Sequence, residues 1–147
     1  TLSAPLDAGH AHLAAELLGI SQESFDRTLQ YMKERKQFGA FIGSFQALQH
    51  RAAHWWSEIE LCKSVVLKAL QSIDEGDVKS SALASIAKAK LCEVAELSTN
   101  EAIQLHGGIG MTDEYEIGFF IKRARPAQAL FGDYNYHADR YALICGY

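Results

Sequence analysis

Two segments hold the side chains with most scope for chemistry: Arg35-Lys36-Gln37-Phe38-Gly39, running on to Phe45-Gln46, and Gln104-Leu105-His106-Gly107-Gly108-Ile109-Gly110-Met111. Arg35 offers a fixed positive charge with a planar fork of donors, suited to a phosphate or pyrophosphate. Phe38 can present its ring to a flat heterocycle. Gln104 is both donor and acceptor, and the glycines at 107, 108 and 110 leave bare backbone that a ligand can approach closely. Each segment falls where one helical pattern stops and another begins, which puts these groups at helix ends. On the residues alone, plainer readings stay open: a solvated arginine stabilised by a helix C-terminus, a phenylalanine plugging the core, and glycines turning a two-helix corner.

Other patterns are weaker. The glycines are not a dinucleotide fingerprint, since no strand precedes them and the spacing is not GxGxxG. His50 and His54 lie one turn apart, yet no third ligand or HExxH context accompanies them, so surface or interface histidines are expected and no metal site. Trp55 and Trp56 point about 100° apart on a helix, so both cannot face one core stripe and one is expected to serve a second interface. Cys62, Cys92 and Cys145 are odd in number, lie inside apolar helical patterns and form no CxxC pair, which suits reduced core thiols in a cytosol-like compartment.

The elements that position these groups follow from apolar spacing. Leu13, Leu17, Leu18, Phe25, Leu29 and Met32 predict an amphipathic helix over about 8–34, ending near Gly39. Phe45, Leu48, Ala52, Trp55, Ile59, Cys62, Val66, Leu70 and Ile73 predict a second over about 44–74, broken by Glu75-Gly76-Asp77. A third runs over about 79–106, with Gly107 placed as a left-handed cap. Asp113 and Glu116 read as a capping pair opening a shorter helix to about Arg125, Pro126 begins the next, and Tyr134 to Cys145 forms the last. No segment alternates long enough to propose a strand. The expectation is an all-α fold: an up-and-down four-helix bundle with additional C-terminal helices.

At 147 residues and 48% hydrophobic, the chain is the size of one domain with a real core. A net charge of −4 with no basic stripe argues against nucleic acid or an anionic membrane surface as partner. No apolar run nears the roughly 18 residues of a membrane span, and no basic-then-apolar leader opens the sequence. The chain starts at Thr1 with helical signal in its first ten residues, which suggests a processed product or a piece of something longer.

Together with Ala87-Lys88-Ala89-Lys90, the stretches Tyr31 to Gly39, Ile42 to His50 and Gln104 to Gly110 strongly resemble the C-terminal helical domain of acyl-CoA dehydrogenases. The resemblance covers essentially residues 1–147, in order and with matching spacing. It implies an FAD-dependent enzyme that oxidises acyl-CoA thioesters to 2-enoyl-CoA and passes electrons to an electron-transferring flavoprotein, assembled as a dimer or tetramer, possibly heteromeric. The family's N-terminal helical and middle β domains are not in this chain, so it is expected to be inactive alone. By the same resemblance, Arg35 binds the FAD pyrophosphate of a neighbouring subunit with Phe38 and Gln46 beside it, and Gln104, Gly107 and Gly108 are the opposing subunit's FAD contacts.

The departures concern the proton acceptor. The family's base is usually a glutamate followed by glycine in the loop before the last helix. Here that loop reads Phe131-Gly132-Asp133-Tyr134-Asn135-Tyr136-His137. Counting back from Arg140 places Asp133 at the glutamate, whereas counting forward from Glu114-Tyr115 places Phe131 there. Some members carry the base on the first helix instead, at the position of Gly9. Asp133 is therefore the candidate base, shortened by one methylene, and the alternative is a subunit that binds FAD and supplies an interface to a catalytic partner.

Overall fold

The structure, a computed structural model, describes residues 2–147. Three long helices, α1 (Ser3–Glu34), α2 (Gln46–Asp74) and α3 (Ser80–His106), are followed by α4 (Ile117–Ala129) and α5 (Tyr134–Cys145). This is the all-α bundle with added C-terminal helices that the apolar periods predict. The third helix is its axis, packing against all four others. Its buried positions are accordingly rich in small residues, among them Ala84, Ala87, Ala95, Ser98 and Ala102, which let neighbouring backbones come close on several sides.

Leu17 and Ile59 meet Leu91 and Val94 in one core, each shielded from water, and burying a side chain of this size contributes roughly 1.5–3 kcal/mol. Trp55 is 1% exposed, donates its indole N–H to Ser98 Oγ at 2.7 Å and meets the Phe25 ring edge-on at 5.0 Å. Trp56 is 50% exposed, so the two tryptophans divide between core and surface as their angular separation requires. His50 and His54 also lie on the exposed side of α2.

Four local expectations are corrected. No strand was expected, yet after α1 the chain makes an antiparallel hairpin of β1 (Lys36–Gln37) and β2 (Ala40–Phe41), with Lys36 opposite Phe41 and Gln37 opposite Ala40. Two residues per strand leave no period to read. Asp113 caps nothing; its carboxylate pairs with Lys122 at 2.9 Å, and α4 starts at Ile117 without a side-chain cap. Pro126 does not begin a new helix but sits inside the end of α4, where the chain continues to Ala129. Only Cys62 and Cys92 are core thiols, with burial pushing Cys62 up to about 11; Cys145 is exposed because α5 ends there and turns through Gly146 (φ 84°).

Candidate functional site

Where α1 and α3 end and the hairpin leads into α2, the surface opens into a groove of about 760 Å³ walled by Tyr31, Arg35, Phe38, Gln104, Gly107 and Gly108, with other residues of the same elements. The two segments singled out in the sequence therefore meet in space. Their meeting has a local cause at each end. The Arg35 N–H bonds the Tyr31 carbonyl at 2.8 Å and stops α1. Gly107 stops α3 with φ 68° and ψ −145°, a backbone region open essentially to glycine alone, while its N–H bonds the carbonyls of Gln104 and Ile103.

Gly110 is also explained within the chain. A Cβ there would stand 2.8 Å from the Ile103 carbonyl oxygen and 3.0 Å from His106 Cβ, because the 3₁₀ turn Gly107–Met111 folds back on α3. Gly108 has no such reason: its φ is not in the left-handed range and a Cβ would meet nothing within 4 Å. Its bare backbone faces open space in the groove wall.

Arg35 has no side-chain partner among the described residues. The contrast is Arg51 in the same groove, whose guanidinium grips both Glu101 oxygens at 2.8 and 2.9 Å. Phe38 occupies the hairpin turn at φ 53°, followed by Gly39 at φ 76°; the residue is 93% exposed, and its ring stands edge-on to Phe45 with centroids 6.3 Å apart. It is no core plug. Gln46 is the exposed first residue of α2, flanked by the groove residues Phe45 and Ala47 and not itself in the wall.

The wall also contains His106, to which sequence reasoning gave no role. It stacks on Tyr31 at 4.3 Å and 28°. Only its place between Gln104 and Gly107 hinted at it. Burial pushes its pKa below the ordinary value.

Compared with known proteins, residues 1–142 match the model of the acyl-CoA dehydrogenase C-terminal domain. The chain belongs to the acyl-CoA dehydrogenase family. Short/branched chain specific acyl-CoA dehydrogenase of Rattus norvegicus is 38% identical over 122 residues, 82% of this chain and 28% of that protein. Acyl-CoA dehydrogenase IpdE2 of Mycolicibacterium smegmatis is 38% identical over 120 residues, 82% of this chain and 37% of that protein. The solved butyryl-CoA dehydrogenase of Megasphaera elsdenii superimposes with a TM-score of 0.93 at 29% identity, over 98% of this chain and 38% of that one. The chain thus spans about a quarter to two fifths of the length of these relatives.

The acyl-CoA dehydrogenase resemblance also drew attention to Asp133, and the structure places it away from the groove. Asp133 caps α5, its carboxylate accepting the Tyr136 N–H at 2.9 Å, and it lines a separate hollow of about 510 Å³ with Cys92, Glu93, Glu96, Arg125, Gln128 and Tyr134. Phe131 and Gly9, the other two positions considered for a base, come together: a Cβ on Gly9 would stand 3.1 Å from the Phe131 ring. Phe131 has φ 59° and Gly132 φ 102°.

A buried polar cluster fixes this turn. Lys88 Nζ, fully shielded, donates to the Gln128 and Gly132 carbonyls at 2.8 Å each. His137 Nε2 donates to the Phe131 carbonyl at 3.0 Å, which leaves Nδ1 as the acceptor facing Ser85 Oγ at 3.4 Å. Arg140 reaches Ser85 Oγ at 2.7 Å and Asp7 at 2.6 Å. Burial, then the neighbouring His10, push His137 down to about 4, and burial with Arg140 lowers His10, so both imidazoles are neutral near pH 7. The three candidate base positions therefore hold a capping carboxylate, a ring and a bare glycine.

Proposed function

We propose that the groove is one face of an FAD site and that this chain is the C-terminal portion of an FAD-dependent acyl-CoA dehydrogenase. The donor set suits the cofactor: at Arg35 a guanidinium without a partner among the described residues for the pyrophosphate, an exposed aromatic residue for a flat heterocycle, an amide at Gln104 and open backbone at Gly107 and Gly108. FAD, when bound, supplies hydride acceptance; the residues of this chain grip, orient and shield it. The carrying observation is Phe38, a non-glycine residue held at φ 53° and 93% exposed. A left-handed conformation costs roughly 1–2 kcal/mol, and no burial inside the chain repays it. A ring kept in that posture beside a free arginine fits a ligand that covers it.

In this reading the assembled enzyme takes an acyl-CoA thioester, passes electrons to an electron-transferring flavoprotein, and forms a dimer or tetramer through the bundle, with the exposed Trp56 and Leu67 of α2 as part of the contact. The chain alone carries no turnover. FAD titration followed by flavin fluorescence tests the groove. Arg35→Ala should weaken FAD by about five- to thirtyfold, the loss of one charge-assisted phosphate contact of roughly 1–2 kcal/mol, with melting unchanged. Equal affinity in the variant overturns the assignment.

A second reading has its own support: a subunit that binds FAD and builds an interface while a partner supplies the base. It rests on the contact between Phe131 and Gly9 and on the use of Asp133 as a cap. With Gly132 directly after Phe131, the pair matches the glutamate-glycine order better than Asp133-Tyr134 does. In a polypeptide that supplies the family's remaining domains, Phe131→Glu should switch on flavin reduction by acyl-CoA, whereas Asp133→Asn should change no activity. Activity lost in Asp133→Asn sinks the second reading.

A further inference from the structure

The two walls of the groove come from different helices, and one pair of side chains joins them. Tyr31 lies in the last full turn of α1, and its carbonyl takes the Arg35 N–H that ends the helix. His106 is the last residue of α3, between Gln104 and the Gly107-Gly108 backbone. Their rings stack at 4.3 Å and 28°, and Tyr31 Oη makes a long bond of 3.4 Å to the His106 carbonyl. The stack therefore sets the separation between the arginine side of the groove and the glycine side.

His106 is itself held from three directions. Its Nδ1 donates to the Ala102 carbonyl at 2.7 Å, one turn back on α3. Tyr115 packs on its ring at 5.0 Å between centroids. Gly110 closes on its Cβ, where any side chain would intrude at 3.0 Å. With Nδ1 donating, Nε2 carries a lone pair, and it is buried without a partner among the described residues. The contacts that fix the ring are therefore the stack on Tyr31, the Ala102 carbonyl and Tyr115, and two of these three are made by its aromatic ring.

We infer that His106 is a positioning residue for the groove: stacked on Tyr31, it fixes Gln104, Gly107 and Gly108 relative to Arg35 so that one FAD can meet both walls. This rests on the FAD reading above. It predicts that ring shape, not imidazole chemistry, is what the site needs. His106→Ala removes the stack; His106→Phe keeps a flat ring while losing both nitrogens.

The test is FAD titration of the chain and both variants by flavin fluorescence, with circular-dichroism melting in parallel. His106→Ala should bind FAD at least tenfold more weakly while still melting cooperatively, and His106→Phe should stay within about threefold of the parent. FAD affinity unchanged in His106→Ala, or lowered equally in both variants, overturns the inference. Absence of FAD binding by the parent chain overturns the cofactor reading and the inference with it. Should His106→Ala fail to fold, Tyr31→Leu removes the same stack from the other side, and unchanged FAD affinity there is equally decisive against it.

Discussion

Replacing Phe38 should make the chain more stable and a poorer binder at once. Phe38 and Gly39 form the two-residue turn of the β1–β2 hairpin, both with positive φ, the signature of a type I′ turn. Phenylalanine is ill suited there, paying roughly 1–2 kcal/mol for its left-handed backbone. The residue is 93% exposed, so it returns little burial, and its edge contact with Phe45 at 6.3 Å is worth about 0.5 kcal/mol, the low end for an aromatic pair. Phe38→Asn installs the residue that tolerates this conformation beside the glycine the turn already has. The difference is a gain of about 0.5–1.5 kcal/mol, which for a chain of this length raises Tm by roughly 1–6 °C. The same variant removes the exposed ring and should weaken FAD at least fivefold. Differential scanning calorimetry and flavin titration on one preparation read both effects. A fall in Tm, or a gain in Tm with unchanged FAD affinity, refutes the argument that strain at Phe38 is kept for a ligand.

Three further outcomes follow from the geometry around α5. Asp133→Ala should cost about 1 kcal/mol and lower Tm by roughly 2–4 °C, as loss of an N-cap does, and Asp133→Ser should recover most of it in calorimetry. Lys88→Met should be far worse, on the order of 3 kcal/mol in urea unfolding, because it orphans two carbonyls inside the fold. Acid should unfold the chain early: His137 titrates near 4 when folded and near 6.5 when unfolded, so the unfolded state binds the extra proton between those values. Stability is full above about pH 6.5 and is lost as pH falls toward 4, and His137→Gln, which keeps an N–H donor for the Phe131 carbonyl, should flatten that slope in Tm-versus-pH scans.

The helices were legible because each long one carries a full apolar face, from Leu13 to Met32 and from Ala52 to Ile73, and a period of 3.6 survives in such lengths. The hairpin was not, since two paired residues per strand carry no period, and what defines it is backbone sign at Phe38 and Gly39. Pro126 misled because a proline near a helix end removes one bond without stopping the helix. At the groove, Arg35, Phe38, Gln104, Gly107 and Gly108 were readable from residue type and from their place at helix ends. His106 was not, because its importance lies in a partner on another helix. The same holds for Lys88, whose place on a helical stripe concealed that its ammonium is buried and spent on the carbonyls before α5. Asp133 stood out by counting from Arg140, whereas its place as the cap of α5, accepting the Tyr136 N–H, is visible only in three dimensions.

The central claim is that FAD lies in the groove between the ends of α1 and α3. Mapping amide shifts of the isotopically labelled chain on addition of FAD tests it most directly. The account predicts shifts concentrated at the amides of Arg35, Phe38, Gly39, Gly107 and Gly108, all abolished or reduced in Arg35→Ala. Shifts centred instead on Glu93, Asp133 and Tyr134, or none at saturating FAD, would contradict it.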